Sequence, residues 1–110
     1  MNREIKFRAW DSSDNVMYET IAFEEMIKMD IMQFTGLKDK NGKDIYEGDI
    51  CKTYNIDEPS KLVDTVVFDE GSFVFRSEYK LDASLRGFKT DYIEIIGNIF
   101  ENPELIKQHL

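Results

Sequence analysis

Ile5, Phe7 and Ala9 alternate with Lys6, Arg8 and Trp10. A period of two predicts a half-buried strand, with the Ile5 side facing inward. Asp11-Ser12-Ser13-Asp14-Asn15 follows as a polar turn cluster, whose side chains satisfy turn backbone. Val16-Met17-Tyr18 then returns as the second strand of a hairpin. Between residues 19 and 32 two periods compete. Phe23, Met26, Ile27 and Ile31 recur at helical spacing behind Thr20, a candidate N-cap. Ile21/Phe23 and Ile27/Met29/Ile31 also alternate, so the segment reads equally as helix or strand.

Gln33 to Lys38 reads as extended. Asn41-Gly42 predicts a type I′ hairpin turn, because both residues tolerate positive φ. Lys38, Asp39, Lys40, Lys43 and Asp44 are expected to keep that turn solvated. Ile45-Tyr46 resumes the extended chain, Glu47-Gly48 makes a second tight turn, and Asp49 to Tyr54 starts a new strand. Asn55 to Leu62 reads as an exposed loop. Val63 to Phe68 is rich in β-branched residues, Asp69 to Ser72 is a turn, and Phe73 to Arg76 is the partner strand. Residues 77–90, with Leu81, Leu85 and Phe88, read as a loop with one helical turn. Tyr92 to Ile96 is a strand, kinked at Gly97-Asn98 and finished by Ile99-Phe100. Asn102-Pro103-Glu104 opens a short helix, to which Leu105, Ile106 and Leu110 give one apolar face.

These elements predict a mainly β fold with minor α. We expect a small bent sheet or SH3-like barrel, an N-terminal β-hairpin appendage and a short C-terminal helix. Residues 1–30 are expected to form the hairpin and its connecting segment. Residues 31–110 are expected to form the barrel-like body.

Composition narrows the function classes. The chain has 110 residues and a formal net charge of -8. Acidic residues outnumber basic ones in both halves, so no basic segment supplies a phosphate-binding footprint. Cys51 is the single cysteine, which excludes an intramolecular disulfide and fits a reducing cytosol. The first residues lack the apolar core of a signal peptide, and no apolar run has membrane-spanning length. The expected setting is the cytoplasm.

Three blocks carry a family resemblance. Arg3 to Asp11 is one, Met32 to Ile50 is the second, and Ile95 to Leu105 is the third. Together they resemble the YopX family of phage and prophage proteins. The resemblance implies a small phage-encoded protein acting in the bacterial host cytoplasm. It implies no established activity and carries over no catalytic or binding residue.

Candidate chemistry reduces to structure on inspection. Asp39, Asn41, Gly42 and Asp44 suggest a calcium loop. With Gly42 at the sixth position, however, the first and last ligands would be Leu37 and Gly48, which cannot serve. His109 sits beside the C-terminus, a poor place for a catalytic base. Cys51 lies in a strand and reads as a buried small hydrophobe. The carboxylates Asp44, Glu47, Asp49, Asp69, Glu70 and Glu94 fall at turns and alternate strand positions, which suits solvated faces. Asp49, behind a glycine at a strand start, is placed to accept turn N–H bonds. Gly36, Asn41, Gly42, Gly48 and Asp49 therefore form a structural signature. Trp10, with Lys6 and Arg8, is either a partner contact or a cover for the barrel edge.

No catalytic, metal or cofactor site is expected. The leading expectation is a non-enzymatic interaction module that self-associates or binds a host or phage protein. The other reading is a protein of nucleic-acid processes. It would touch DNA through a local patch, or mimic DNA by its acidity toward a DNA-binding host protein.

Overall fold

The computed structural model describes residues 4–53, 62–77, 82–85 and 90–107. Nine strands and two one-turn helices are present among them. β1 (Phe7–Asp11) and β2 (Val16–Tyr18) form the first hairpin. α1 (Phe23–Met26) leads to β3 (Asp30–Lys38), then β4 (Asp44–Tyr46) and β5 (Asp49–Thr53). β6 (Leu62–Asp69), β7 (Ser72–Ser77) and β8 (Asp82–Ser84) follow. A 3-10 turn (Thr90–Tyr92), β9 (Ile93–Asn98) and α2 (Glu104–Lys107) close the chain. The order is β2-β1-β3-β4 in one sheet and β8-β7-β6-β5-β9 in the other, with antiparallel neighbours throughout. The fold is mainly β, a curled half-barrel sheet with a second sheet packed to it.

The corner between β4 and β5 joins the sheets. Gly48 has φ 89, and a Cβ there would meet Met32 Sδ at 3.2 Å, so both backbone and space call for glycine. Its N–H donates to the Val66 carbonyl at 2.8 Å, and its carbonyl accepts from the Ile99 N–H at 2.9 Å. Two apolar clusters flank this corner. One holds Ile45, Cys51, Val66, Phe75, Leu85 and Ile93. The other holds Trp10, Met32, Phe34 and Tyr46, with Met17 and Phe100 against them.

Several expectations are corrected. β1 does not bury the Ile5 side alone: Arg8, Ala9 and Trp10 are buried in succession. Arg8 and Trp10 are buried while Ile5 and Phe7 are exposed. Arg8 finds a buried carboxylate, and Trp10 stacks on Phe100 at 5.8 Å between centroids. α1 forms, but Ala22 precedes it without a side-chain cap, so Thr20 has no capping role. From Asp30 the chain is already strand.

The 39–43 turn is not type I′, because Asn41 does not adopt positive φ; Gly42 does, at 80. The Gly42 N–H donates to the Asp39 carbonyl, and the Asp39 N–H to the Lys43 carbonyl, which makes a type I turn closed by a left-handed glycine. The turn with two positive φ values is Glu70-Gly71, at 48 and 82, between paired Asp69 and Ser72. Within the span read as a loop, Asp82–Ser84 pairs with β7 and Leu85 is core. Ile99-Phe100 is turn rather than strand. The Asn102 amide oxygen accepts from the Asn98 N–H, at the end of β9, rather than from α2.

The expected 55–61 loop, Leu81, Phe88, His109 and Leu110 lie outside the described residues. Among the described residues, no helix is long and apolar enough to cross a membrane.

Candidate functional site

An open cleft of ≈970 Å³ lies between the two sheets. All three blocks of the family resemblance reach it. β1 and the residues before it supply Lys6 and Arg8. The β3–β4 hairpin supplies Lys38, Gly42, Lys43, Asp44 and Tyr46. β5 supplies Asp49, and the end of β9 supplies Ile95 to Asn98 with Glu101 beyond.

Its floor is an ion pair. Arg8 Nη2 donates to Asp49 Oδ1 at 2.7 Å, and both side chains are buried. The second carboxylate oxygen accepts the Tyr46 N–H at 2.8 Å. The guanidinium lies 4.6 Å from the Tyr46 ring centroid, and its Nε donates to Met32 Sδ. Asp49 therefore closes the Glu47-Gly48 turn with one oxygen and anchors β1 with the other. Burial pushes the Asp49 carboxyl up, while Arg8 and the Tyr46 N–H pull it back. Burial also raises the Tyr46 phenol.

The rim repeats the pattern. Lys6 pairs with Glu4 and Asp44 and sits 4.6 Å from the Phe34 ring centroid. Hydrogen bonds to Asp44 first, then Glu4, hold its ammonium above the usual lysine range. Asn98 Oδ1 accepts the N–H groups of Phe100 and Glu101, and its Nδ2 donates to Glu101 Oε1.

Behind the cleft stands Asp39, which is buried and not part of a solvated turn. Its Oδ1 accepts from the Asn41 and Lys43 N–H groups at 2.9 and 3.0 Å. Its Oδ2 accepts from the Ile95 N–H at 3.0 Å. One carboxylate thus folds the hairpin tip and fastens it to β9. An Asp three residues before a glycine is the type I turn pattern that could have revealed it.

The sequence candidates separate in space. Lys6, Arg8, Gly42 and Asp49 meet in the cleft. Trp10 is buried beside Phe100 and presents no free face. Asn41 is exposed at the turn, and Gly48 is buried at the corner. Gly36 lines a second cavity of ≈650 Å³ with Phe68 and Phe73.

Cys51 is fully buried. Burial, then the charges of Asp49, Asp39 and Asp64, raise its thiol far above reactivity. Among the described residues, no three His, Cys, Asp or Glu side chains gather as metal ligands.

The chain resembles protein EF1440 from Enterococcus faecalis, with a TM-score of 0.70 and 27% identity over 96% of this chain and 99% of that one. Protein YopX from Bacillus subtilis shares the fold, with a TM-score of 0.57 and 22% identity over 90% and 95% of the two chains. No curated protein matches the sequence. The YopX family model, described as YopX protein, matches residues 21–107 and so begins after the first hairpin. The chain belongs to the YopX family.

Proposed function

We propose that this YopX-family chain is a phage- or prophage-encoded interaction module that works without catalysis, in the cytoplasm of a bacterial host, and self-associates. The observation that carries it is Phe23. This aromatic is 74% exposed on α1, while Met26 of the same turn is buried. Ile27, one turn further along the same segment, is 60% exposed, and neighbouring exposed apolar side chains mark a surface that a partner covers.

The cleft supports a structural role. Both oxygens of Asp49 and of Asp39 already accept hydrogen bonds from the fold. A general acid or base needs a free oxygen aimed at substrate. The cleft's cations Lys6, Arg8, Lys38 and Lys43 stand among Glu19, Asp44, Asp49 and Glu101. That balance offers phosphate little net attraction, so nucleic-acid contact remains the weaker reading.

Sedimentation velocity on the full chain over a wide concentration range tests the proposal. A sedimentation coefficient that rises with concentration is expected. A single-chain species at every concentration refutes self-association.

A further inference from the structure

We infer that two copies of the chain meet through the outer face of the first sheet and α1, about a two-fold axis perpendicular to α1. This rests on the self-association reading above and gives it a surface.

The argument starts from topology. β2 and β3 are both antiparallel to β1, so they run parallel to each other with β1 between them. The chain joining them must cross β1 on one face. The inner face is occupied by Trp10, Met32 and Phe34 of the core. α1 therefore crosses the outer face. Ala9 belongs to that face, with Tyr18 and Ile31 as its cross-strand partners, and is completely covered. A small residue there lets the helix approach closely, and Met26 is the buried residue of the helix.

Beyond Ala9 the face is open. Phe7 and Ile31 are diagonal neighbours on the same face, and both stay exposed. Phe23 and Ile27 stand four residues apart on one side of α1, at 74% and 60% exposure. Ile5 prolongs the row. At ordinary side-chain sizes these five residues leave on the order of 500 Å² bare, at the upper end for a monomer and near the core of a ~800 Å² half-interface.

Charge favours a second copy as the occupant. Glu24 and Glu25 lie at the start of α1 and Lys28 just past its end. Two α1 turns related by a two-fold axis perpendicular to them run antiparallel. Lys28 of each copy then faces the acidic pair of the other, so the surface is complementary to itself.

Light scattering on size-separated full-length protein tests this. The wild type is expected at twice the single-chain mass of 12.9 kDa. Phe23→Ser/Ile27→Ser is expected at the single-chain mass and still folded by circular dichroism, because both side chains are exposed in the single chain. Phe68→Ser, which removes an exposed aromatic elsewhere, keeps the dimer. Lys28→Glu weakens it severalfold, and Glu24→Lys/Glu25→Lys/Lys28→Glu restores it. A dimer unaffected by Phe23→Ser/Ile27→Ser overturns the location and leaves self-association standing. A wild type that stays single at every concentration overturns both. A single chain that binds apolar peptides or lipid vesicles through Phe23 and Ile27 overturns the second copy as occupant.

Discussion

Arg8 and Asp49 lie 41 positions apart in sequence and 2.7 Å apart in space. Removing one partner leaves a buried charge with no counter-charge, which typically costs 3–5 kcal/mol. Arg8→Met is therefore expected to lower stability by about 3 kcal/mol in urea unfolding. Adding Asp49→Leu to it recovers only part, because the Tyr46 N–H then loses its acceptor. Asp64 makes a separate case. It is buried with Thr53 Oγ1 as hydrogen-bond donor, and burial raises its pKa while that bond lowers it. The folded chain thus holds the Asp64 proton more tightly than the unfolded chain. Its contribution to stability falls as pH rises from the ordinary aspartate range, about 4, through the raised folded value. Asp64→Asn removes that share of the slope. Its melting temperature is expected to exceed wild type by more at pH 7 than near pH 4. The turn bond to Asp49 was legible in the sequence, but the Arg8 pairing and the burial of Asp64 were not, for a physical reason. Alternation reveals that β1 has two sides, but not which one meets the core. Arg8 sits on the side that reads as polar and is buried there only because Asp49, far along the chain, neutralises it.

Elements were easier to read than the turns joining them. Phe7–Asp11, Gln33–Lys38 and Val63–Phe68 carry their strand character locally, in alternation and β-branched side chains. Asp82–Ser84 carries none and is a strand because β7 offers it an edge. Turn chemistry was misassigned between two hairpins. Asn41-Gly42 has the strongest type I′ composition, yet Asp39 gathers its N–H groups into a type I turn. Glu70-Gly71 lacks that composition and adopts two positive φ values, at 48 and 82. Glu70 pays strain there that asparagine tolerates better. Glu70→Asn is expected to stabilise the protein by roughly 0.5–1 kcal/mol, read as a raised melting temperature. No gain would mean that the β6–β7 turn relaxes in solution to another geometry.

The whole molecule is two apolar clusters held by shared strands. The only tryptophan, Trp10, lies in one and the only cysteine, Cys51, in the other. If the clusters unfold as one unit, Trp10 fluorescence and Cys51 thiol exposure change at the same denaturant midpoint. Separate midpoints would show that the first sheet opens independently. The family's central block was legible as a signature, but its meaning was not. Its residues connect the two clusters, and that connection exists only in three dimensions. β4 makes the connection most directly. Ile45 belongs to one cluster and its neighbour Tyr46 to the other, so this short strand has no idle side. A slip of one residue would exchange them, placing a phenol in hydrocarbon and removing the aromatic platform beneath Arg8. The strand thus works as a parity check on the fold: one alignment satisfies both readers, and a shifted one is rejected by both at once.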